Sequence, residues 1–273
     1  MWWLLAVLLV AVTATGGDSR TLRDDPPPAA NAPLAREPAA LAEAFTTTTR
    51  RLRASGWDGS GAVPDDVTLL ALHHQRILRL LAQRRALGDA TLAKLPDDVR
   101  GEARDTVAAR RALDAIPRGK PPRVRVAAAA PASELRAAYD AAQRRFGVDW
   151  SVLAAVNFVE SAFGRVRSAS EAGARGPMQF LPATWREYGL GGDIDDPRDA
   201  ILAAANYLHR AGASESLDRA LYAYNHSSRY VRAVRRLAAR MRADQRAFLT
   251  YYAWQVFVRT PGGGARRITG PGR

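Results

Sequence analysis

The sequence predicts a mainly α fold with little or no β, and three observations carry that reading. Apolar residues recur at helical spacing over most of the chain, and residues that start and stop helices bracket those runs. At 273 residues and 47% hydrophobic content, there is enough apolar material for one solid domain and a smaller helical region beside it.

Taken in order, residues 1–16 open with an almost wholly apolar run, followed by Ala14-Thr15-Gly16, small residues at which a signal peptidase could cut. The segment reads as a signal peptide or an amino-terminal anchor, and either role puts the protein outside the cytoplasmic membrane, in the envelope or secreted. The run is shorter than the roughly twenty residues of a membrane span. Residues 17–38 are rich in Pro, Ala and charge, including Asp24-Asp25-Pro26-Pro27-Pro28, and are expected to be a disordered linker. Helices are predicted at 39–54, 64–87 and 97–116, within an accessory region spanning 39–118. The second starts on Pro64-Asp65-Asp66 and carries Val67, Leu70, Leu72, Ile77, Leu78, Leu80 and Leu81 as its apolar side. The region carries no chemical motif and reads as a helical platform. A linker at 119–132 leads to a second segment, 133–258, which is expected to fold and work alone. Its helices are predicted at 133–146, stopped by Gly147, then onward from an Asp149 cap, and at 182–188, 197–211, 217–224 and 229–242. The aromatic, β-branched stretch 250–258 fits either a short strand or a closing helix. The Gly- and Arg-rich tail 259–273 is expected to be disordered.

Net charge is +13, and all but two of the 40 basic residues, Lys94 and Lys120, are arginine. Such a field favours polyanionic surroundings. The arginines are spread along every helix and not gathered into one stripe interleaved with aromatics, which argues against nucleic acid as partner. The densest group, from Arg229 to Arg246, alternates with Val231, Val234, Leu237 and Met241 as an ordinary amphipathic helix does. With no cysteine there is no disulfide, thiol nucleophile, thiolate zinc site or lipoprotein anchor. His73, His74, His209 and His226 lack the spacing of a hydrolytic zinc site, and the Asp193, Asp195, Asp196 and Asp199 group reads as a turn with helix caps, because Pro197 interrupts any calcium loop. No metal or cofactor is expected.

Chemistry concentrates in three short motifs. In Asn157-Phe158-Val159-Glu160-Ser161 a carboxylic acid shares a helix face with Leu153, Val156 and Phe163, where a charge is expensive and a proton is readily kept for donation. Gly173-Ala174-Arg175-Gly176-Pro177-Met178-Gln179-Phe180 is a constrained loop presenting a glutamine amide, and Ala223-Tyr224-Asn225 ends a short helix with a hydroxyl and an amide.

In that order and spacing, the motifs resemble the lysozyme-like lytic transglycosylases of bacterial cell walls, over about residues 137–258. The departures are Pro177 within the loop motif and His226-Ser227-Ser228 after Asn225. The resemblance implies a goose-type lysozyme-like α-helical catalytic domain acting on peptidoglycan glycan strands. Anionic wall polymers are a further possible partner, and membrane contact would come only through the amino-terminal segment. It implies that Glu160 is acid and then base while the muramic-acid 6-hydroxyl attacks its own anomeric carbon, giving 1,6-anhydro ends. Ser161, Met178, Gln179, Phe180, Tyr224 and Asn225 would be substrate-binding, with Ser161 fixing the acid's rotamer and Met178 and Phe180 forming an apolar wall for sugar faces. Tyr224 would donate to the Glu160 carboxylate or steady charge at the ring oxygen. Hydrolysis of the same bond, as by a goose-type lysozyme, and non-catalytic wall binding are the alternatives.

Overall fold

A computed structural model describes residues 25–117, 124–260 and 264–273; the expected signal segment 1–16 lies outside them. Among the described residues four helices come first: α1 (Pro38–Ala54), α2 (Asp65–Gln83), α3 (Arg85–Lys94) and α4 (Asp97–Asp114). Seven follow: α5 (Ala132–Phe146), α6 (Trp150–Ser161), α7 (Pro182–Tyr188), α8 (Pro197–Arg210), α9 (Leu217–Tyr224), α10 (Ser228–Ala243) and α11 (Gln245–Tyr252). An antiparallel pair, β1 (Phe257–Arg259) and β2 (Ala265–Arg267), completes the described chain, with Val258 opposite Arg266. Among the described residues no helix is long and apolar enough to cross a membrane.

The two helical regions do not have separate cores. One cluster of buried side chains runs from Leu41 and Phe45 through Leu78 and Val107 to Leu153, Val234 and Trp254. The joint is α10, which buries Tyr230, Val231, Val234, Leu237 and Met241 while packing on α4 on one side and α6 on the other. Polar ties follow the same seam. Arg236 and Arg240 meet Asp105 of α4 at 2.8 and 3.1 Å, Thr106 and Tyr251 share a 2.6 Å hydrogen bond, and Gln75 exchanges two bonds with the backbone of Gln255.

Several expected boundaries are corrected. The helix predicted to reach residue 87 stops at Gln83, because Arg84 (φ −100°, ψ 86°) turns the chain and lets the Gly88 backbone approach the Leu81 carbonyl, which a Cβ would meet at 2.2 Å. Residues 25–37, expected to be disordered, are held by arginine donors, with Arg51 reaching the Asp25 carbonyl at 2.5 Å and Arg76 that of Ala30 at 3.3 Å. Within the expected linker, residues 124–131 run alongside the stretch after α6, with a bridge between Val126 and Val166 and a 2.9 Å bond from the Ala127 amide to the Arg165 carbonyl. The tail is ordered through β2 and through Arg267, which donates to Asn31 Oδ1 at 3.1 Å and to the Gly272 carbonyl at 2.9 Å. The stretch 250–258 does both things the sequence left open, ending α11 and then supplying β1.

Candidate active site

The site is built on α6. Asp149 caps the helix, its carboxylate accepting from the Ser151 amide at 2.9 Å, and residues 151–157 are buried. Burial gives way in the last turn, where Phe158, Val159 and Glu160 are half-buried, so the acid stands at the open end of an apolar helix and not inside it. Asn157, fully buried, donates from Nδ2 to the Tyr139 hydroxyl at 2.8 Å. Beyond Ser161 the chain takes three consecutive left-handed residues, Ala162 (φ 52°), Phe163 (φ 63°) and Gly164 (φ 82°). For a residue with a Cβ that conformation costs on the order of 1–2 kcal/mol. It is held by amide bonds from Ala162 to the Phe158 carbonyl (3.0 Å) and from Phe163 to that of Asn157 (3.2 Å), and by the Phe163 ring packed on Phe158, Phe248 and Tyr252. Backbone strain held in place by packing is a common feature of functional sites, and here it adjoins the acid.

The glutamine loop is a small hairpin. Arg175 and Phe180 exchange backbone bonds at 2.8 and 2.9 Å around residues 176–179. Gly176 (φ 76°) lies so close to the Ile194 carbonyl that a Cβ would sit 1.9 Å from it. Two successive carbonyls of this loop receive the hydroxyls of the other motifs. Ser161 Oγ donates to the Pro177 carbonyl at 2.5 Å, and the Tyr224 hydroxyl donates to the Met178 carbonyl at 2.6 Å. The three motifs are thus one hydrogen-bonded unit whose meeting point is the loop backbone.

That arrangement changes several expected roles. Ser161, buried, takes the Gly164 amide at 2.7 Å and ties α6 to the loop, so it is not open to a substrate. Met178 and Phe180 are also buried, Phe180 against Trp185 and Tyr224, so they support the site from behind and do not present an apolar wall. Tyr224 gives its proton to the loop, not to Glu160. Gln179 (φ 51°) is half-buried and donates from Nε2 to the Gly176 carbonyl at 3.0 Å. Asn225, half-buried, caps α9 through its backbone, and its amide makes no hydrogen bond among the described residues. The aspartate group is a turn with caps, Asp196 accepting from the Arg198 and Asp199 amides at the start of α8.

Tyr230 is the site residue that sequence reasoning missed. It lies in the first turn of α10, capped by Ser227, and is 1% exposed; its hydroxyl is turned to Glu160 and finds no other partner among the described residues. Burial first, and the Glu160 charge second, hold its phenol well above the ordinary tyrosine value, and the same two causes act on Tyr224. Both hydroxyls therefore stay protonated at any physiological pH, and Glu160 is the carboxylate whose charge reaches both. The available signal was a lone tyrosine on the buried face of an arginine-rich helix just after a serine cap.

The described residues thus form a mainly α fold with one half-buried acid at the end of an apolar helix, a hairpin loop beneath it and two protonated phenols beside it. Residues 137–246 match the family model described as Transglycosylase SLT domain. A curated relative, membrane-bound lytic murein transglycosylase F of Thiobacillus denitrificans (strain ATCC 25259 / T1), is 32% identical over 113 residues, 38% of this chain and 24% of the relative. The chain thus spans about a quarter of that relative's length. No solved structure matches.

Proposed function

We propose that the chain is a peptidoglycan lytic transglycosylase of the cell envelope that cleaves the bond between N-acetylmuramic acid and N-acetylglucosamine, leaving 1,6-anhydromuramoyl ends. The observation that carries this reading is Glu160 at the open end of α6 with the Tyr230 hydroxyl turned to it. Hydrolysis through two carboxylates needs them about 5–9.5 Å apart, and the three motifs supply one, Glu160. A lone acid suits a reaction whose nucleophile belongs to the substrate. Glu160 protonates the glycosidic oxygen as the bond from the anomeric carbon breaks. The carboxylate left behind, steadied by Tyr230, takes the proton of the muramoyl 6-hydroxyl as that oxygen closes on the anomeric carbon. No water is consumed. The Asn225 amide and the outer edge of Gln179 supply donors and acceptors for acetamido and hydroxyl groups.

The test is digestion of insoluble peptidoglycan with mass analysis of the products. Anhydro ends, one water lighter than reducing ends, are expected, and Glu160→Gln should lose them while keeping a native circular dichroism spectrum. Reducing ends would mean hydrolysis; no release by the folded wild-type chain would leave wall binding.

A further inference from the structure

A second pocket, of about 480 Å³, opens between α2 and the β1–β2 hairpin, lined by Leu34, Arg76, Arg79, Leu80, Gln83 and residues 264–265. None of the candidate active-site residues borders it. Arg79 is 8% exposed and lies on the Phe257 ring, Cζ 4.2 Å from its centroid, yet its guanidinium has no hydrogen bond or ion pair with any described residue. Among the described residues Arg76 makes one 3.3 Å bond, to the Ala30 carbonyl, and meets no carboxylate. Arg267 stands close enough to Arg76 for its charge to be felt, and its Nη1 is buried without a partner. The acid nearest in effect to Arg79 is Asp114, which is paired with Arg110 at 3.0 Å and Arg259 at 3.7 Å. Elsewhere on these helices the half-buried arginines do find carboxylates: Arg53 with Glu102, Arg111 with Asp89 and Arg240 with Asp105. Burial, then the charge of Arg110, pushes the Arg79 pKa down to about 10.

We propose that this pocket binds a phosphate group, as the free ion or as an ester, with Arg79 and Arg76 as its ligands. Planar guanidinium forks match the oxygen geometry of phosphate, and a tetrahedral anion can serve two forks at once where a carboxylate serves one. Leu34 and Leu80 give the apolar wall against which the alcohol part of an ester would lie.

Calorimetric titration of the full chain in phosphate-free buffer tests this, with inorganic phosphate, poly(glycerol phosphate) at equal phosphate content, and polyglutamate as a polyanion without phosphate. Binding of either phosphate probe is expected, weakened about tenfold by Arg79→Gln and by Arg76→Gln, and unchanged by Arg144→Gln on exposed α5 surface. Inorganic phosphate binding alone assigns the site to the free ion, and polymer binding alone assigns it to the ester. In the absence of phosphate, Arg79→Gln should melt higher than wild type, since an unpaired buried charge is gone, and phosphate should raise only the wild-type melting temperature. Should that variant not fold, Arg76→Gln carries the titration by itself. Equal binding by wild type and the pocket variants, equal loss in Arg144→Gln, or polyglutamate binding as tightly as the phosphate polymer would overturn the proposal; the last would reduce it to attraction toward a chain of net charge +13.

Discussion

Tyr224 and Tyr230 stand beside the same acid but spend their hydroxyls differently, and that difference predicts how their variants behave. Tyr230 faces Glu160 with no other partner, so Tyr230→Phe should cut turnover by about tenfold, about 1.4 kcal/mol in barrier, with little change in melting temperature. Tyr224→Phe strips the Met178 carbonyl of its donor in a buried place, which costs about 1–3 kcal/mol of stability, so melting temperature and turnover should fall together. Asn225→Ala breaks no internal bond and should lower turnover while leaving the melt unmoved. Rates per folded molecule, measured beside thermal melts, separate these outcomes; a stable, fully active Tyr230→Phe would take that phenol out of the mechanism. Of these residues, Glu160, Gln179, Tyr224 and Asn225 were legible in the sequence because each sits inside a short motif. The Ser161 partner was not, since its carbonyl lies 16 residues further on and belongs to a loop whose path only the packed molecule fixes.

Among the elements, the hairpin at 175–180 is where a small backbone change should have the largest effect. Gly173 (φ 81°) and Gly176 (φ 76°) are both left-handed, but only Gly176 lies against another strand of backbone, the Ile194 carbonyl. Gly173→Ala should cost about 1 kcal/mol from the dihedral alone, whereas Gly176→Ala must also move residue 194 and should lower the melting temperature several times further and abolish activity. A comparison of the two melts checks this, and equal losses would mean that the close approach is relieved elsewhere. The helices show the same division between local and distant causes. α7 and α9 have the predicted bounds because Pro182 and the Ser216 cap are local signals. The break after Gln83 was hidden because it depends on Gly88 meeting Leu81 across the turn, and the β1–β2 pair because three residues are too few to display an alternation. Tyr230 was hidden in a pattern that any amphipathic helix would give.

At the scale of the whole molecule, the shared core argues against the independence that the sequence suggested for 133–258. A fragment of those residues would expose the α10 face that packs on α4, leave the Tyr251 hydroxyl without Thr106, and take His74 away from the Trp254 indole, which donates to it at 3.3 Å. It should be insoluble or lack a cooperative melt, and adding back 25–117 as a separate chain should restore one; a stable, active fragment would contradict the single-core account. The seam is also acid-sensitive. Burial by itself would raise the Glu102 carboxyl, but the hydrogen bond from His74 Nε2 at 3.2 Å and the charge and hydrogen bond of Arg53 at 2.9 Å outweigh it, so its folded value lies below the ordinary 4.5. The stabilisation is therefore complete above that ordinary value and is lost as pH falls through the lower folded one. Melting temperature should drop below about pH 4.5, and Glu102→Gln should flatten that limb of the profile while lowering the melt at neutral pH. The seam on α10 has a hereditary consequence as well. Recombination trades cassettes at borders that few contacts cross, and the border near residue 118 is crossed by Asp105 with Arg236 and Arg240, Gln75 with Gln255, and His74 with Trp254. A gene encoding such a chain cannot exchange one half without breaking these pairs, so descendants should inherit the two halves together and change the paired positions in step.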